Sequence, residues 1–146
     1  MEKDIKELVL SGKFSEAKEI VKNMELNELA NLIIEMGYES QDISIYAFTI
    51  SLISNNNASA IHHIASFLLH VALCSIEGAY TVSLYHLRIA LTLEPNNIKY
   101  KTELLDFYRI PERLVTLKEA KSIANEIILV DPKSTAALSF INEFVI

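Results

Sequence analysis

Read for apolar spacing, the chain resolves into a succession of helix-length stretches. Ile5, Leu8 and Val9 fall at helical intervals over residues 4–11, and Gly12 breaks the run. Phe14, Ala17, Ile20, Val21 and Met24 make a second face. Leu26, Leu29, Ala30, Ile33, Ile34 and Met36 make a third, which Gly37 is expected to end. Ser40 is a candidate cap for a fourth helix carrying Ile43, Tyr46, Ala47, Ile50 and Ile53, and Asn55, Asn56 and Asn57 close it. Ser59 is placed to cap a fifth, extending to Ile76 with Gly78 at its end. A sixth runs to Leu93, and a seventh covers residues 97–109 and ends before Pro111. Thr116 and Glu119 form a T-x-x-E capping box that opens an eighth helix, which stops at Pro132. Ser134 is placed to cap a ninth that runs to the C-terminus. The pattern predicts an all-α chain.

The breaks between these stretches are ordered. The three glycines, Gly12, Gly37 and Gly78, fall between the first and second helix of a pair, where glycine tolerates a left-handed helix end. The asparagines and Pro95 and Pro132 fall between pairs. Proline has no amide hydrogen and restrains the residue before it, so it stops one pair and lets the next begin. The pair-closing turns lie near residues 24, 56, 96 and 133, which are 32, 40 and 37 residues apart. Recurring helix pairs at that period predict a single-domain α-solenoid over residues 1–146, with about four αα-hairpins and a C-terminal helix.

Here the chain resembles the tetratricopeptide (TPR) repeats, whose period is about 34 residues, with small residues at set places in the second helix and a closing proline. "SLYHLRIALTLEPNN" places Ser83, Leu87, Ala90 and Pro95 at matching spacing. "EAKSIANEIILVDPKS" does the same with Ala120, Ala124, Ile127 and Pro132. "SGKFSEAKEIV" matches the middle of a repeat through Gly12, Phe14 and Ala17. Residues 25–57 fit only as a helix pair, and no first helix carries the tryptophan or leucine-glycine signature. The resemblance covers about two thirds of the chain, which fits a divergent solenoid or an irregular helical bundle that mimics one.

Composition agrees with a packed helical domain. The chain has 146 residues, 51% of them hydrophobic, with only three glycines and three prolines. Cys74 is the only cysteine, which excludes an internal disulfide and fits a cytoplasmic setting. No secretory signal is expected in "MEKDIKELVL". The net charge is −6 and unevenly spread. Residues 1–40 carry nine acids and five lysines, and residues 99–146 carry seven acids and seven bases. No concentration of Lys and Arg is present to meet phosphates, so nucleic acid is not the expected partner. Between Asp42 and Glu77 there is no Asp, Glu, Lys or Arg at all. A membrane span needs about 20 apolar residues. The asparagines at 55–57 and His62, His63 and His70 interrupt this run, so a buried layer or an interface is expected instead.

Candidate chemistry concentrates in the same region. His63, His70 and Cys74 are spaced i, i+7, i+11 and would share one helix face, with His86 approaching from the next helix and Glu77 between. Imidazole and thiolate suit zinc-type metals. However, His63 and His70 would stand about 10 Å apart along a helix, too far for one ion. Cys74 with His70 or His86 is a thiol–imidazole candidate without a supporting local signature. Packed side chains are the expected role of all of these, with Cys74 behaving as a small apolar residue. Neither a catalytic residue, a metal nor a cofactor is expected. Glu16 and Glu19 read as a solvated face, and the six tyrosines as packing residues with one or two binding anchors among them.

What the TPR resemblance implies is a groove lined by the first helices of successive repeats, which receives a protein or helical peptide. Carried onto this chain, the third pair presents Ala65, Leu68, Ala72 and Ile76, and the fourth Thr102, Leu105 and Arg109. That surface is mostly apolar. It lacks, at the third pair, the Lys, Arg and Asn with which part of the family clamps a terminal carboxylate. An amphipathic helix is the better match. The last helix, with Leu138, Phe140, Ile141, Phe144 and Val145, is expected to cap the solenoid, and its apolar content leaves homo-oligomerisation open. The expected function is a non-catalytic protein-binding module. The alternative is a small acidic neutralising protein of the immunity-protein or antitoxin type. A purely structural oligomer and, less favoured, a metal- or thiol-dependent enzyme are the remaining readings.

Overall fold

A computed structural model describes the backbone of residues 2–144 and the side chains of residues 5–144. Among the described residues there are nine α-helices and no strand. They group into two compact units, residues 1–90 and 91–146.

The first unit contains α1 (Glu2–Leu10), α2 (Phe14–Val21), α3 (Leu26–Ser40), α4 (Ile43–Ser51), α5 (Ala58–Phe67) and most of α6 (Ala79–Leu93). α1 packs on α2 and α4, α3 on α4 and α5, and α4 on α5. Most apolar positions read from the sequence supply the core, but on α4 the expected face of Ile43, Tyr46, Ala47, Ile50 and Ile53 is exposed or half-buried, and Ile45, Phe48 and Thr49 are buried instead. Ile5, Val9, Ala17, Ile33, Ile45, Phe48 and Ile61 are at most 1% exposed. Each such large side chain contributes about 1.5–3 kcal/mol through burial. Phe14 meets Phe48 edge-on at 5.6 Å, tying α2 to α4.

Two of the expected glycine breaks are present. Gly12 and Gly78 have φ of +75° and +82°. Gly37 behaves otherwise. It does not end the third helix, which continues to Ser40 and closes on Gln41 with φ of 52°. It permits close packing instead: a Cβ at Gly37 would lie 2.6 Å from Leu68 Cδ1 and 3.1 Å from Ala72 Cβ. The fifth helix also departs from expectation. α5 is regular only to Phe67 and continues as a π-helical segment, Leu68–Ala72, in which the Leu73 N–H donates to the Leu68 carbonyl at 2.9 Å. This segment is what α3 meets at Gly37.

Helix starts track the polar residues, with two corrections. Asp42, not Ser40, caps α4 by accepting from the Ser44 N–H at 2.8 Å. Ser40 donates back to the Met36 carbonyl. Ser59 lies inside α5, and Asn57 precedes it, bracing the turn by accepting from the Ser54 N–H and donating to the Leu52 carbonyl.

The second unit contains α7 (Ile98–Arg109), α8 (Leu117–Val130) and α9 (Thr135–Phe144), with α8 packed on both neighbours and α7 also on α9. Asn97 caps α7, Thr116 caps α8 and Ser134 caps α9, each through a side-chain oxygen. Pro111 and Pro132 come just after the ends of α7 and α8. Ala120, Ala124 and Ile127 form the fully buried stripe of α8. Tyr108, Phe140 and Phe144 form a ring cluster between α7 and α9, with centroids 4.9–5.7 Å apart. Val145 lies outside the described residues. No helix among the described residues is long and apolar enough to cross a membrane.

Candidate functional site

The poorly charged middle of the chain supplies the most distinctive side-chain constellation. α4 carries Tyr46, α5 carries His62, and α6 carries Tyr85 and His86. His86 is only 3% exposed. Its Nε2 lies 2.7 Å from Tyr46 Oη, and its Nδ1 lies 2.9 Å from His62 Nδ1. The rings of Tyr46, His62 and Tyr85 surround it at centroid distances of 5.5, 5.1 and 5.2 Å. Tyr46, His86 and His62 are therefore one hydrogen-bonded chain crossing three helices. Both protons in it can run in either direction, from tyrosine to His62 or back, with every ring neutral.

Burial fixes the electrostatics. Desolvation, joined by the neighbouring His62, pushes the His86 imidazole down from 6.5 to about 4. Desolvation also lowers His62. It raises the Tyr46 hydroxyl, with Tyr85 adding a smaller effect. At neutral pH the chain of rings is uncharged. Elsewhere on α6, Ser83 Oγ donates to the Ser66 carbonyl at 2.6 Å, so α6 is fastened to α5 at a second buried point.

The structure separates the residues that the sequence spacing grouped. His86 pairs with His62, not with His70 or Cys74. His70 sits in the π segment with its ring edge-on to Tyr80 at 5.5 Å, and His63 lies against Phe67 at 6.4 Å. Cys74 is exposed in the turn after the π segment rather than packed as an apolar core residue. Among the described residues no three His, Cys, Asp or Glu side chains converge as a metal ion would need.

The seven expected groove residues are also placed. Ala65, Leu68, Ala72 and Leu105 are buried, Ile76 and Thr102 are half-buried, and Arg109 is exposed. Leu68 and Ala72 are drawn inward because Gly37 lets α3 close over them. Arg109 is engaged, donating to Glu143 at 2.7 Å and lying 5.3 Å from the Phe144 ring. Large apolar side chains reach solvent elsewhere. Leu129 and Val130, adjacent at the end of α8, are 85% and 68% exposed. Tyr38 and Ile43 are exposed at the junction of α3 and α4.

Compared with known proteins, the chain matches no family model, no curated protein and no solved structure.

Proposed function

We propose that this chain is a non-catalytic, TPR-like helical module that binds another protein or an amphipathic helical peptide. The observation that carries this reading is the exposed pair Leu129 and Val130. Two adjacent branched apolar side chains at a helix end contribute little to the free chain. Covered by a partner, each adds about 1.5–3 kcal/mol. The repeat-like organisation is supported by the buried small residues of the second helices: Ala17 on α2, Ser83 and Ala90 on α6, and Ala120 and Ala124 on α8. The stacking of α8 on both α7 and α9, with α7 on α9, supports it further. The binding surface of this reading is the exposed end of α8, since four of the seven groove positions are occupied in packing. Affinity capture with the wild-type chain and with Leu129→Ser/Val130→Ser tests it. Neither side chain belongs to the core, so the variant keeps the wild-type circular dichroism. One stoichiometric partner held by the wild type and lost by the variant is expected. A partner held equally by both, or none held by either, overturns the reading.

A second reading is favoured by a different observation. Glu25 at the start of α3, and Glu28 and Glu35 along it, are exposed, and no ion pair engages them among the described residues. An acidic helix face of this kind suits a neutralising protein that covers a basic enzyme surface. A captured partner with enzymatic activity that the complex abolishes would support this reading over the first.

A further inference from the structure

We propose that Tyr46, His86 and His62 form an acid-sensitive latch, which holds α6 against α4 and α5 and releases it when the chain takes up protons. The inference does not rest on the binding function. One proton fits between His86 Nδ1 and His62 Nδ1, which are 2.9 Å apart. One fits between His86 Nε2 and Tyr46 Oη at 2.7 Å. A further proton makes one imidazole cationic. A second would place two N–H donors face to face on two cationic rings, and the His62–His86 bond cannot survive that. Detached from each other in water, both rings take up protons near pH 6.5.

The elements whose rings face His86 offer no carboxylate to offset the charge. His86 faces Tyr46 from α4, His62 from α5 and Tyr85 from α6 itself. α4, α5 and the π segment contain no Asp, Glu, Lys or Arg, and their other histidines, His63 and His70, lie against Phe67 and Tyr80. The only charged residue on α6 is Arg88, which carries the wrong sign. Besides the latch, the Ser83–Ser66 bond is a second buried polar link between α6 and α5. Release would uncover Leu84 and Leu87, which are buried in the closed state.

Proton uptake sets the direction of the pH effect. The closed form binds fewer protons than the open one, so the latch is fully stabilising above about pH 6.5 and weakens as pH falls towards about 4. Most carboxylates remain ionised between about pH 6.5 and 5, which separates this loss from ordinary acid denaturation. The experiment is an NMR titration of the wild-type chain from about pH 8 to 4, tracking the His86 and His62 rings and the amide exchange of α6. The His86 ring should stay neutral at about pH 6 and protonate together with a loss of α6 amide protection. The thermal midpoint should fall across the same window in the wild type and much less in His86→Gln. The proposal is overturned if His86 protonates near pH 6.5 with α6 still protected, or if His86→Gln keeps the wild-type pH dependence. Should that variant not fold, the wild-type ring titration and α6 exchange decide alone.

Discussion

At the scale of single residues, Gly37 shows how one hydrogen atom sets the packing of an element. Glycine inside a helix costs about 1 kcal/mol relative to alanine, so Gly37→Ala would stabilise the chain if α3 stood free. It does not stand free. The new methyl would lie 2.6 Å from Leu68 Cδ1 and 3.1 Å from Ala72 Cβ. Leu68 is fully buried, and the Ala72 methyl is fixed to its backbone, so neither side chain gives way without moving the π segment. Overpacking of this kind costs about 1–3 kcal/mol and outweighs the propensity gain. Gly37→Ala should therefore destabilise by about 1 kcal/mol net, and Gly37→Val by about 3 kcal/mol, in urea unfolding. An alanine variant more stable than wild type would show that α3 and the π segment do not meet as closely as described.

At the scale of elements, periodicity carried most of the fold because most helices here are regular and amphipathic. Pro95 and Pro132 stop α6 and α8, Gly12 and Gly78 turn left-handed, and Thr116 and Ser134 cap as the polar pattern implies. The candidate site was not legible, for a physical reason. The i, i+7, i+11 grouping of His63, His70 and Cys74 assumes 3.6 residues per turn throughout. The π segment closes i→i+5 between Leu68 and Leu73, adding a residue to the turn and rotating the residues after it. Cys74 then falls in an exposed turn. His62, one position from the histidine the spacing favoured, meets a ring 24 residues away. No local signal joins Tyr46, His62 and His86, although the missing charges between Asp42 and Glu77 marked the stretch holding Tyr46 and His62 as a buried layer or an interface. The π segment has its own support. Gln41 Nε2 donates to the Ala72 carbonyl at 2.8 Å, and its Oε1 accepts from Ser75 Oγ at 3.2 Å. Gln41→Ala removes both bonds, along with the longer ones from Nε2 to the Gly37 and Tyr38 carbonyls at 3.1 and 3.3 Å, while leaving the backbone of the cap. It should cost about 1–3 kcal/mol and speed amide exchange at Leu73 before sites in α5. Unchanged exchange there would mean the π segment holds without Gln41.

At the scale of the whole molecule, charge distribution separates the two binding readings. The net charge of −6 is not spread evenly: residues 1–40 hold nine acids against five lysines, while residues 99–146 balance at seven and seven. Leu129 and Val130 lie in the balanced stretch, and the exposed glutamates of α3 lie in the acidic one. Exposed charges are screened over about 10 Å at 0.1 M salt and about 3 Å at 1 M. An encounter steered by α3 therefore slows steeply as salt rises, and one driven by apolar cover at the end of α8 does not. With the captured partner in hand, raising salt from about 0.05 to 0.5 M should lower the association rate less than about threefold, because the contact that carries the leading reading is uncharged. A fall of about tenfold or more would place the partner on the acidic face of α3 and favour the neutralising protein. The measurement needs no variant, so its outcome does not depend on whether a substitution at either surface disturbs the fold.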